Sequence, residues 1–378
     1  MIRRRYSPAC IIFISLWIAG APAVAGVVNP NISVIGQPYL MVTDDPANPD
    51  HDRLRMDPGE TEVVFDDYLN PFTRGYFTLA LNEDGLELEE GWFRILRGLP
   101  GALNLKGGKW RQGFGKLNAQ HPHTYPFFDG FHVLSEFLPG DESFNESGLE
   151  LSERLPSPGE SSLVASLAWL QGDSFRQVRG DTIGSGDPIS LSGDRSEESR
   201  PAVLGRLSAF SLIGERSGLD FGLSATSGTN NVAAGTRTTV YGADAKAKLW
   251  NSERSYLVLQ AEVLKLDRED AGWSCATGYA HETVKPWGWY IYGDYNWDLR
   301  WNAGASFERY QAADRDQAWN SAFGLFGGVA LMEETTAFRV GWERFRTGSA
   351  PGDVQPDPVN TFTLRVIFSM GPHKTHQF

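Results

Sequence analysis

From residue 61 onward, apolar and polar residues alternate with a period of two, in segments bounded by turn residues. Phe72 to Leu81 reads FTRGYFTLAL and is followed by the turn Asn82-Glu83-Asp84-Gly85. Leu86 to Ile95 comes next, with Leu86, Leu88 and Trp92 spaced for one face. The same rhythm recurs at 161–170, 201–213, 219–225, 238–249 and 256–266. It continues at 275–283, 287–295, 299–310, 320–332, 337–346 and 360–370. The pattern predicts an all-β fold of about 14–16 strands, each about ten residues long, the length that crosses a membrane as part of a closed barrel.

The connections alternate in length. Those at 214–218, 251–254 and 333–336 are short, whereas those at 172–200, 227–237, 311–319 and 347–359 are longer and polar. Short turns at one end and long loops at the other are the habit of an outer-membrane barrel. Trp287, Trp289, Tyr290, Tyr292, Tyr295, Trp297 and Trp301 cluster where an interfacial girdle of aromatic side chains is expected.

One stretch breaks the rhythm. A strand enters at Leu103 and Leu105, another leaves at Leu149 and Leu151, and between them lies a long insert rich in aromatic, basic and histidine residues. Connections beyond about 12–15 residues without regular structure are functional or disordered, and the aromatic content argues against disorder. The insert, Lys109 to Phe137 at its centre, is expected to fold into the barrel as a constriction loop.

Arg3, Arg4 and Arg5, the apolar run Ile11 to Ala19 and the small-x-small site Ala23-Val24-Ala25 read as a signal peptide over 1–25. That leaves an N-terminal arm over 26–60 and the barrel over 61–378. Cys10 would leave with the signal, so Cys275 would have no intramolecular partner. The net charge of −13 argues against nucleic acid as a partner. The many glycines (41) and the 12% aromatic content suit a barrel with an apolar outside, bathed in outer-membrane lipid, and a polar lumen.

Lys106, Lys109, Arg111 and Lys116 are the candidate pore-constriction or solute residues, because charged side chains at a constriction set ion preference. The competing reading pairs these cations with Glu87, Glu89 and Glu90. His121, His123, Asp129 and His132 are the candidate metal ligands, since imidazole and carboxylate suit zinc. Pro122 stiffens the His-Pro-His turn and makes that spacing awkward for a single ion. His373 and His376 offer a second pair. Asp173, Asp181, Asp187 and Asp194 lack the tight spacing of a calcium loop. No catalytic motif appears, and His281-Glu282-Thr283 lacks a second histidine, so an enzyme is not expected.

Leu105 to Gly115 reads LKGGKWRQGFG. It resembles the basic, glycine-containing run of bacterial outer-membrane porins similar to the phosphate-selective porins O and P. A subgroup of porin-like proteins is more similar still, at three places: Asn29 to Gly36, Leu117 to His123 with Pro126-Phe127-x-Asp129, and the tail Gly371-Pro372-His373-Lys374-x-His376. The resemblance implies passive diffusion of small hydrophilic solutes or ions, and leaves open association into a homotrimer. Some members are labelled zinc-regulated TonB-dependent receptors. The chain departs from such receptors in being too short for a 22-stranded barrel plus plug. It departs from barrels generally in placing Pro372, Lys374 and His376 before Phe378. The alternatives to a channel are a zinc-linked uptake or binding protein and a structural barrel without a conducting pore.

Overall fold

The computed structural model describes residues 30–371 apart from 84, 142, 177–197, 233, 275–277, 315–316, 332–335 and 351. The expected signal peptide, Cys275, the tail histidines, and Asp181, Asp187 and Asp194 lie outside these residues.

Among the described residues, nineteen strands form one antiparallel sheet. In order they are β1 Asn31–Gly36, β2 Tyr39–Thr43, β3 Arg55–Asp57, β4 Thr61–Asn70, β5 Thr73–Asn82, β6 Gly85–Ile95 and β7 Leu103–Arg111. There follow β8 Asn145–Leu155, β9 Ser162–Leu170, β10 Ala202–Ile213, β11 Ser217–Asn231, β12 Thr236–Trp250 and β13 Tyr256–Ser274. The last are β14 Gly278–Val284, β15 Trp287–Trp297, β16 Trp301–Gln311, β17 Trp319–Ala330, β18 Thr336–Arg346 and β19 Val359–Met370.

Three of the wall strands are broken in two. β1 and β2 are interrupted at Gln37-Pro38, and both pair with β19. β3 and β4 are interrupted beside that break and pair with β2 and β1. β14 and β15 are separated by Lys285-Pro286, and both pair with β13. Proline has no N–H to give to a ladder, so it marks such breaks. The result is a closed barrel of sixteen traverses, at the upper end of the sequence-based count.

The barrel closes through the segment that the sequence reading leaves as an arm. Ile35 pairs with Ser369 on β19 and with Glu62 on β4. The alternation in NISVIG is too short to stand out as a strand without those partners. The polar stretch at 227–237, expected as a loop, is mostly strand, with only 232–235 between β11 and β12. There Asn230 Nδ2 donates to Thr238 Oγ1 at 3.0 Å and to Glu269 O at 2.8 Å. Strands that continue past the apolar band carry the same polar residues as loops, so composition could not separate the two.

The outside of the wall is apolar. Leu167 and Trp169 are 62% and 64% exposed, and Phe77, Phe221, Leu223, Val340 and Phe362 also face outward. The aromatic cluster divides by parity. Trp287, Tyr295, Trp297 and Trp301 face outward, with Trp297 stacked on Trp301 at 6.5 Å. Tyr290 and Tyr292 are buried inside, so they do not belong to the girdle.

Candidate functional site

The insert leaves β7 and returns at β8, and between them it fills part of the lumen. It contains the 3-10 turn Pro122–Thr124 and one short helix, α1, His132–Phe137. Phe114, Leu117, Tyr125, Phe127, Phe131, Val133 and Phe137 are buried there against inward residues of the wall, among them Val240, Leu264, Tyr290, Tyr292 and Phe326. Phe131 stacks on Tyr290 with centroids 3.8 Å apart. The hydrophobic core of this molecule is therefore inside the barrel, between loop and wall, and burial of these aromatic surfaces holds the loop in place.

Polar anchors fix its path. Glu262 on β13 accepts the N–H groups of Lys116 at 2.7 Å and Leu117 at 3.0 Å, and the Tyr290 hydroxyl at 2.6 Å. Glu308 on β16 accepts the N–H groups of His132 and Val133. Arg365 donates to Phe127 O at 2.7 Å, and Arg339 to the carbonyls of His123 and Tyr125. Asn118 ties the loop's two ends, donating to Gln112 O and Phe144 O. Beside the loop remain cavities of about 220 Å³, lined in part by Asp129, His132 and Glu343, and about 360 Å³, lined in part by Glu136, Asp141 and Arg268.

The four cations singled out in the sequence do not gather at one opening. Lys109 pairs with Glu87 at 3.0 Å and Arg111 with Glu89 at 2.6 Å, which is the competing reading of those residues. Lys116 pairs with Asp220. Lys106 faces the lumen, with its ammonium 4.4 Å from the Trp92 ring centre and 4.7 Å from that of Trp110. It belongs instead to a row that sequence reasoning missed. Register places Arg74 opposite Arg94, and Arg94 opposite Lys106, on three neighbouring strands. Asp66 holds Arg74 at 2.6 Å, while Glu150 is 3.9 Å from Arg94. Only strand register could have revealed this row, because its members are far apart in sequence.

A bulge shapes the wall above that row. Thr78 pairs with Glu90 and Leu79 with Leu88, so Glu89 is an extra residue. One added residue reverses the parity of everything after it. Leu86 and Leu88 therefore face outward, whereas Trp92 faces inward, not onto their face as its spacing suggests. The bulge also turns two successive carboxylates, Glu89 and Glu90, into the buried interior.

Those carboxylates meet the histidine turn. His121 Nε2 is 3.0 Å from Glu90 Oε1, and His123 Nδ1 is 2.9 Å from Glu62 Oε1. Pro122 begins the 3-10 turn and sets the two rings side by side, 5.6 Å apart. The stiffness that made the spacing look awkward is what lets both rings reach Glu62. Burial alone would lower the His121 pKa, but the Glu62, Glu89 and Glu90 carboxylates overcome it and hold it up at about 10. The expected four-residue metal set is not one cluster. Among the described residues, His121 and His123 converge with Glu62, while His132 sits on Glu308 at 2.5 Å and Asp129 lines the cavity beside it.

No family model matches the sequence. A curated relative from Aquifex aeolicus (strain VF5), described as an uncharacterized protein, is 28% identical over 255 residues. The match covers 63% of this chain and 51% of the relative, so the chain spans about half that protein's length. Among solved structures, an anion-selective porin from Comamonas acidovorans aligns with a TM-score of 0.56 at 12% identity, over 90% of this chain and 98% of that one. The outer-membrane channel DcaP of Acinetobacter baumannii gives 0.58 at 10% identity, over 90% and 96%. OmpT of Vibrio cholerae, in a trimer form, gives 0.53 at 11% identity, over 91% and 100%. These likenesses are of fold: the chain is a closed transmembrane β-barrel with the architecture of outer-membrane porins.

Proposed function

We propose that this protein is an outer-membrane, porin-like channel for passive diffusion of small hydrophilic solutes, without enzymatic activity. One observation carries the reading: a closed sixteen-traverse barrel has an apolar outside, a polar wall inside, and a buried loop narrowing the lumen. The fold shared with porins supports it.

The ion preference follows from the wall. Arg74, Arg94 and Lys106 lie side by side, and the last two are the less neutralised. A row of cations in a narrow aqueous path favours small anions despite the acidic whole. Kinship with phosphate-selective porins and association into a trimer fit this reading, and both stand as proposals with it. Liposome swelling tests the channel. Vesicles carrying the refolded protein should swell in small neutral solutes and exclude larger ones. Vesicles that swell no faster than protein-free controls, with the barrel folded, would overturn the proposal.

A further inference from the structure

We infer that Glu62, Glu89 and His121, with His123 beside them, form a site for a divalent transition-metal cation between the loop and the wall. Two buried carboxylate oxygens flank one buried ring nitrogen. His121 Nδ1 lies 3.3 Å from Glu62 Oε2 and 3.3 Å from Glu89 Oε2. None of the three atoms makes a hydrogen bond, although the residues are only 4%, 0% and 7% exposed. Buried polar atoms without partners are rare and call for an occupant.

The spacing suits a metal ion. Donors about 2.0–2.2 Å from a tetrahedral zinc-sized ion stand about 3.3–3.6 Å from one another. His123 Nδ1, 2.9 Å from the other Glu62 oxygen, is placed to serve as the fourth donor. Imidazole with carboxylate, and no thiolate, selects zinc, cobalt, nickel or copper over calcium or magnesium. Glu90 at His121 Nε2 supplies the carboxylate that orients a ligating imidazole.

The charges agree. Glu60 joins Glu62 and Glu89 in one group, and Glu90 adds a fourth carboxylate. Arg111 pairs with Glu89. Buried carboxylates in such excess are costly unless a cation balances them. A dication would also tie the His-Pro-His turn to β4 and β6, fixing the loop at a further point of the wall besides Glu262 and Glu308.

The test uses the full-length, refolded protein in detergent, in a background carrying His373→Ala and His376→Ala so that the tail contributes no imidazole. Co²⁺ is the probe, read by the intense visible bands of a four-coordinate ion, and Zn²⁺ displaces it in calorimetry. One equivalent should bind. Glu90→Gln should weaken binding about 10- to 100-fold. His121→Ala with His123→Ala should abolish it, and a heat-modifiable gel band should report an intact barrel throughout. Absence of the bands from the folded parent, or bands unchanged in the double variant, would overturn the site and leave His121 as an imidazolium paired with its carboxylates.

Discussion

Glu308 holds His132 twice, through the backbone N–H at 3.2 Å and through ring Nδ1 at 2.5 Å. Burial alone would lower the His132 pKa, but the hydrogen bond and charge of Glu308, with Glu343 and Asp129 nearby, raise it to about 9. A pKa raised above the ordinary 6.5 means a contribution to loop docking that is complete below about pH 6.5 and lost as pH rises through about 9. Single-channel records should grow noisier between those values. His132→Ala should be noisy at every pH, and a profile identical to the parent would contradict the assignment.

Gly115 has φ +64°, and a Cβ there would lie 2.0 Å from Glu262 Oε2. Gly115→Ala should therefore displace the Glu262 carboxylate from the amides of Lys116 and Leu117. Hydrogen bonds to a charged group contribute about 1.5–3 kcal/mol each. The expected outcome is easier proteolysis within 112–144 of a barrel that still migrates as folded. Unchanged protease resistance would show that the aromatic contacts alone hold the loop.

Deleting Glu89 would restore strict alternation in β6. Leu86 and Leu88 would still face lipid and Glu90 and Trp92 the lumen, because the extra residue alone separates the two phases of the strand. What the deletion removes is the carboxylate that Arg111 holds at 2.6 Å and that lies 3.3 Å from His121 Nδ1. Deletion should keep the heat-modifiable band, as should Glu89→Gln; loss of the band on deletion alone would show that the wall needs the bulge itself.

The barrel was legible because lipid and water impose a period-two pattern on each strand separately. The lumen loop was legible as an insert, since its aromatics had no strand to sit on. What escaped depended on partners remote in sequence. β1 is a strand only because β4 and β19 flank it. Tyr290 and Tyr292 resemble girdle residues until Phe131 and Gln260 are seen against them. The spacing of Leu86, Leu88 and Trp92 puts Trp92 on the wrong face because the Glu89 bulge leaves no mark in composition. Nothing in the sequence joins Arg74 and Arg94 to Lys106, since only register brings them together.

The central claim is a water-filled path whose ion preference is set by that row. The most direct test is single-channel recording in a planar bilayer under a salt gradient, for the parent and for Arg94→Glu with Lys106→Glu. The account predicts stable conductance steps, a reversal potential favouring anions, and a shift toward cations in the variant. Lys109→Glu with Arg111→Glu should shift it less, since both side chains are already paired. Folded protein that gives no steps would contradict the channel, and a reversal potential indifferent to Arg94 and Lys106 would remove the row from the path.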